Sequence, residues 1–293
     1  MNTFKVTIRE VVFLVIVGLI CAGSSCRSRS SNEAPANPTE TAAEYVSQAD
    51  QLYAQREDLM RVRQAIVFLR QAVTTDPGNY DASWRLAKFN YYLATHSENR
   101  DEREKAFRDG IEAGKTAVEL QGGKPDGHFW LGANYGAAAQ TSLLGGLATV
   151  DDINNEMEAV LRLDEGYQNG SAYMVLGLVY LDEPRFIGGN PQKAVELMEK
   201  GLRFGEGNAF LHLHLAEAYE KVGRTADARR QLNTIISMTP DQNYLPEYKE
   251  AVAEARKLLE KTATTADGNS QVGKVGLPRS RSAPAQHRID SPS

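Results

Sequence analysis

His212 and His214 are the first residues to test for chemistry, because neighbouring imidazoles can share a metal ion or a proton. On a helix, residues two apart project from different faces, so this pair cannot close on one ion. His96, His128 and His287 have no partner at ligand spacing. Gly145-Gly146 and Gly188-Gly189 precede no Lys-Ser or Lys-Thr pair and follow no strand, so neither is a phosphate loop. No serine sits in a nucleophile elbow. The many carboxylates fall on polar helix faces, where water solvates them. The reading is therefore non-enzymatic, with no catalytic residue, no metal ligand and no cofactor.

Cys26 is the exception, because its neighbours point to covalent modification. Lys5 and Arg9 form a basic start, Val11 to Ile20 a short apolar run, and Ala22 to Ser25 a string of small residues. The apolar run falls well short of the roughly 20 residues that span a bilayer. Gly23-Ser24-Ser25-Cys26 resembles a bacterial lipobox, with Cys26 as the acylated new N-terminus. A multiply acylated terminus anchors stably. The alternative is ordinary cleavage to a free protein. Residues 1–26 are thus read as a lipoprotein signal and residues 27–43, rich in Ser, Asn, Pro and Thr, as a tether. Both cysteines, Cys21 and Cys26, lie in this N-terminal part, so the folded part holds no disulfide. The expected location is a bacterial cell envelope, attached to a membrane through the N-terminal lipid. A net charge of −5 argues against nucleic acid as a partner.

The elements come from the spacing of small and large residues. In Asn208 to Pro240, Ala216, Tyr219, Gly223, Ala228, Leu232, Ile235 and Pro240 fall where a 34-residue helix–turn–helix repeat places its small, large and stop residues. Small residues let two antiparallel helices approach, large ones fill the gap, and Pro ends the second helix. This resembles a tetratricopeptide (TPR) repeat. Related phrases recur around Leu52 and Ala65, Trp84 and Ala117, Leu131 and Met157, and Tyr173 and Ala194. The fold class is all-α: a TPR-like solenoid of about five repeats over residues 44–263, with extended A–B turns. Leu245 to Lys261 is its C-terminal capping helix. Residues 264–293 are polar and read as a disordered tail. Asn190 before Pro191 is a helix N-cap followed by Pro at the first helical position.

The departures from the repeat are concentrated. From the eighth to the twentieth repeat position, the first and fifth copies spend 12 residues (Tyr53 to Ala65, Ala216 to Ala228). The middle three spend 22 (Lys88 to Gly110), 21 (Gly132 to Ile153) and 17 (Gly177 to Ala194). All three insertions fall in the A–B turn, on one edge of a solenoid. His96 to Arg108 is charged and extends a helix into water. Leu143, Leu144 and Leu147 in the second, and Phe186 and Ile187 in the third, belong over the groove or in an oligomer contact, since a loop this apolar should not stay in water.

The first helix of each pair lines the concave face. Its inward positions select Arg85, Phe89, Tyr92, Phe129, Ala133, Met174, Leu178, Leu181, Phe210 and Leu213 as the ligand or partner groove. Aromatic and aliphatic residues there suit an apolar small molecule or an amphipathic helix. They are equally consistent with plain core beneath the inserted loops.

Gly127-His-Phe-Trp-Leu-Gly-Ala-Asn-Tyr-Gly136, Met157-Glu-Ala-Val-Leu-Arg-Leu-Asp-Glu-Gly-Tyr167 and Pro184-Arg-Phe-Ile-Gly-Gly-Asn-Pro-Gln-Lys-Ala194 resemble the T component (TatT) of tripartite TRAP-type periplasmic transporters. That resemblance covers about residues 44–240. It implies a lipid-anchored periplasmic protein, able to form a homo-oligomer, with a hydrophobic pocket and a periplasmic solute-binding protein or other envelope protein as partner. The alternative is an interaction scaffold for envelope complex assembly. A closed, apolar groove favours the first and an open groove holding a peptide the second.

Overall fold

The computed structural model describes residues 38–140, 150–182 and 189–272. Cys26, Leu143, Leu144, Leu147, Phe186 and Ile187 lie outside them. The described residues form α1 (Pro38–Tyr53), α2 (Leu59–Thr75), α3 (Tyr80–His96), α4 (Arg100–Gln121), α5 (Pro125–Gln140), α6 (Val150–Leu163), α7 (Tyr167–Asp182), α8 (Pro191–Leu202), α9 (Ala209–Lys221), α10 (Thr225–Ser237) and α11 (Leu245–Val272). Consecutive helices pack as antiparallel pairs, α1/α2 through α9/α10, and α11 packs on α9 and α10. The odd helices α1, α3, α5, α7 and α9 also meet one another in series. This is a five-repeat TPR-type solenoid with a C-terminal cap.

Local chemistry sets the helix starts. Asp58, Asn79, Asn99, Asn190 and Asn208 each accept a hydrogen bond from a backbone N–H of the turn they precede. That satisfies a donor which otherwise has no partner at a helix start. Close approach sets the packing. A Cβ on Gly132 would lie 2.4 Å from Met157 Cε, so the methionine end of α6 packs into the space that glycine leaves on α5.

Two boundaries differ from the sequence reading. α1 begins at Pro38, inside the segment read as tether, because Pro suits a first helical position and Ala42 is buried. α11 runs on to Val272, past the expected end near Lys261. The insertion around His96 to Arg108 is spent on a long α4, with Ser97 to Asn99 alone left as the turn.

Two apolar clusters fill the solenoid. One runs from α1 to α7 and includes Leu69, Phe89, Phe107, Met157 and Val160. The other runs from α7 to α11 and includes Met198, Leu211, Leu215, Leu232, Ala251 and Ala255.

Candidate functional site

The odd helices form one wall of a cavity of about 790 Å³ on the concave face. α1 contributes Asp50 and Tyr53; α3 contributes Lys88, Tyr91, Tyr92, Thr95 and His96. α5 adds Phe129, Trp130 and Ala133, α7 adds Ser171, Met174 and Val175, and α9 adds Phe210. The opposite wall is the segment from Thr239 into the first turns of α11, with Tyr244, Glu247, Tyr248 and Glu250.

Polar contacts bring that second wall back to the first repeat. Arg56, at the α1–α2 turn, is buried and donates from Nε to Glu247 Oε1 at 2.8 Å. Its Nη2 donates to Glu247 Oε2 at 2.5 Å and to the Asn243 carbonyl at 2.6 Å. His96 Nε2 meets Glu250 Oε1 at 3.0 Å, and Lys249 Nζ meets Glu57 Oε1 at 2.8 Å. Burial alone would lower the His96 pKa, but its bonds to Glu250 and to the Tyr92 carbonyl raise it overall. α11 is therefore a cap on α9 and α10 and, at its start, a clasp to α1 and α3.

A second polar device shapes the floor. Gln168, Asn169 and Gly170 have φ of 49°, 54° and 74°, a left-handed turn that opens α7. Left-handed backbone costs roughly 1–2 kcal/mol per non-glycine residue. Here the turn is held from several sides. Asn208, the cap of α9, donates from Nδ2 to the Asn169 carbonyl at 3.1 Å and to Ser171 Oγ at 3.0 Å. Tyr244 donates its hydroxyl to Gln168 Oε1 at 2.9 Å. Asp126 accepts from the Tyr167 and Tyr80 hydroxyls at 2.8 and 3.2 Å, tying α3, α5 and the start of α7 together. At Gly170 a Cβ would stand 2.4 Å from the Gly201 carbonyl, so no other residue fits.

Of the residues selected from sequence, Tyr92, Phe129, Ala133, Met174 and Phe210 line the cavity. Leu181 and Leu213 are core, and Leu178 packs against the same cluster. Arg85 is not part of the lining; it pairs with Asp50, which is, and with Asp81, at 3.0 Å each, and lies over the Trp84 ring. Phe89 is buried, stacked 3.9 Å beneath Tyr53. The second repeat is thus offset by one residue from the sequence register. Ala87, fully buried, takes the small-residue position, and Lys88 and Tyr91 turn inward. Lysine at a position reserved for a small side chain is the sequence signal for that offset. Tyr53, Arg56, Trp130, Gln168, Asn169 and Glu247 are not among the residues selected from sequence.

His212 bonds Gln231 and the Glu206 carbonyl, while His214 bonds Glu217. Among the described residues no group of three or more His, Cys, Asp or Glu side chains could hold a metal ion, and no helix is long and apolar enough to cross a membrane.

The fold resembles the TPR protein TTC0263 of Thermus thermophilus (TM-score 0.53, 20% identity, 72% of this chain and 99% of that one). It also resembles PilF of Pseudomonas aeruginosa (TM-score 0.51, 19% identity, 77% of this chain and 93% of that one). At these identities the likeness concerns fold alone. No curated protein matches the chain. The model of the TRAP transporter T-component family matches residues 90–265, which takes in most of the cavity wall and the α11 side of the clasp. The chain is an accessory, transport-related TPR protein, and it belongs to the TRAP transporter T-component family.

Proposed function

We propose that this protein is a non-enzymatic, lipid-anchored periplasmic component of a TRAP-type system that holds an apolar small molecule in its concave cavity and works with a solute-binding protein. The observation that carries the ligand is the cavity itself. Its volume of about 790 Å³ falls within the range of roughly 300–1,000 Å³ usual for small-molecule sites. Its walls are rich in aromatic side chains, among them Tyr53, Tyr91, Phe129, Trp130 and Phe210. The scaffold reading needs a groove open along its length. An extended peptide would have to displace the contact of Arg56 with Glu247. The anchor rests on the residues leading to Cys26.

Met174→Glu tests the ligand. Met174 lines the cavity and is half-buried, so a carboxylate there can reach water. The variant should keep its circular dichroism spectrum and lose any co-purifying apolar ligand in native mass spectrometry. An unfolded variant would assign Met174 to the core, and a folded variant with undiminished binding would move the ligand elsewhere. Cys26→Ala should shift the protein out of the detergent phase in a partition assay; persistence there overturns the anchor.

A further inference from the structure

The two apolar clusters divide the solenoid into two bodies. α1 to α6 share the first core and α8 to α11 the second. α7 alone has buried side chains in both, with Ala172 and Leu176 in the first and Leu181 in the second. Among the described residues α7 packs on α6 less extensively than α3 packs on α2, α5 on α4 or α9 on α8. The joint between the third and fourth repeats is therefore the thinnest in the stack. Bodies with their own cores and a small shared interface move readily against each other.

The left-handed turn sits at that joint. Gln168 and Asn169 are, among the described residues, the two non-glycine residues with positive φ. Such a conformation persists only where its neighbours hold it. Here the neighbours belong to different bodies. Tyr167, just before the turn, is tied to the first body, its hydroxyl donating to Asp126 Oδ1 and its ring centre 5.4 Å from that of Phe129. Ser171, just after the turn, is tied to the second through Asn208. The three residues between span the joint, so a change in their φ and ψ turns one body against the other.

The contacts that close the two bodies lie at the clasp. Arg56, Glu57 and His96 belong to the first body, and their partners Glu247, Lys249 and Glu250 to the second. Tyr244, in the same segment, holds Gln168 through its hydroxyl. A closed clasp thus places Tyr244 where it restrains the turn, and a broken clasp withdraws that hold. The strain of the turn then works toward opening. Glu165, in the α6–α7 link, accepts from Tyr173 and Lys200, which keeps the link fastened to the second body while the clasp side parts.

We propose that the protein is a two-body clamp, in which α1–α6 and α7–α11 rotate about Gln168–Gly170 and the clasp latches them closed. The cavity lies between the bodies, with Tyr53, Lys88 and Trp130 on one and Met174, Phe210 and Glu247 on the other, so the rotation opens it. Both cores stay intact.

Spin labels on introduced cysteines read the rotation, in the full-length chain carrying Cys21→Ser and Cys26→Ser. All three labelled positions are exposed. Glu119→Cys with Arg229→Cys spans the two bodies and avoids the clasp, while Gln64→Cys with Glu119→Cys stays within the first. Distances come from double electron–electron resonance. In Arg56→Ala the spanning distance should change by roughly 5–10 Å, the scale of a hinge rotation, and the inner distance should stay fixed. Tyr244→Phe removes a single hydroxyl and should move a smaller share of the molecules in the same direction. It decides alone if Arg56→Ala does not fold. An unchanged spanning distance in both variants means that the segment swings by itself, and overturns the clamp. A shift in Arg56→Ala with none in Tyr244→Phe removes the turn from the latch and overturns the coupling. An inner distance that changes as much as the spanning one overturns the hinge, because the solenoid then bends throughout.

Discussion

The two walls of the cavity are built from different interactions. The repeat wall is the inner surface of five stacked helix pairs. Its side chains continue directly into the apolar core, as Tyr53 does through its stack on Phe89. The clasp wall is a short segment held to the first repeat by Arg56–Glu247, His96–Glu250, Lys249–Glu57 and the Tyr244 hydroxyl bond to Gln168. Apolar packing is cooperative with the whole domain, while a handful of polar contacts can break while the rest stays folded. Opening on the clasp side should therefore be local, at the cost of the Arg56–Glu247 contact, and under the proposed reading it is the way in for a ligand that leaves the solenoid folded.

The largest expected effect lies in the repeat wall. Phe89→Glu removes a large buried side chain, which alone is worth about 3–5 kcal/mol, and strands a charge under Tyr53. The variant should lose its helical circular dichroism or precipitate. Met174→Glu, on an equivalent inward helix but facing the cavity, should not. If the two variants behave alike, the division between core and lining is wrong.

How much of this is legible in the sequence depends on range. The helix pairs and the caps at Asn190 and Asn208 follow from signals within about 34 residues, and local periodicity reads them well. The sequence register of the second repeat is off by one residue because Phe89 has the character of a lining residue, and Lys88 alone contradicts it. The clasp is invisible in the sequence. Arg56 and Glu247 are 191 residues apart, and nothing near either one signals the other. The left-handed turn at Gln168 is equally hidden, since Gln carries no preference for that conformation.

The next effect in size is Arg56→Ala. Arg56 and Glu247 keep 6% and 25% of their side-chain surface exposed, so removing the guanidinium leaves a carboxylate largely buried and unpaired. Losing one partner of a buried pair costs roughly 3–5 kcal/mol. Here the loss should fall on the clasp, because the segment can swing out and let Glu247 reach water. Hydrogen exchange should accelerate in Gln242 to Glu250 and stay unchanged in α5 and α6. Uniform acceleration would mean that the clasp and the solenoid unfold together.

His96 gives the clasp a pH dependence with a definite sign. Its pKa is raised above the ordinary 6.5 by Glu250 and the Tyr92 carbonyl, against burial. A raised histidine stabilises the folded state fully below 6.5, and that contribution is lost as pH climbs through the folded value. Ligand exchange should therefore quicken as pH rises from about 6 into the alkaline range. The contribution is below about 1 kcal/mol, since both partners are partly solvated. In His96→Gln the exchange rate should be flat across that range. A rate that instead falls with rising pH would point to a different titrating group.

The smallest effect belongs to Lys249 and Glu57. Their side chains remain 54% and 60% exposed, so water and salt screen them and both lose rotamer freedom on pairing. Lys249→Ala should shift a urea midpoint by less than about 0.5 kcal/mol in stability and leave the hydrogen exchange of Gln242 to Glu250 within about twofold. The comparison with Arg56→Ala is the sharp part. Both substitutions remove one positive charge from the same junction, and they differ in burial and in the two-pronged geometry of the guanidinium. If Lys249→Ala opens the clasp as far as Arg56→Ala does, net charge rather than the buried bidentate contact closes the cavity, and raising the salt concentration should then open it in the unaltered protein too.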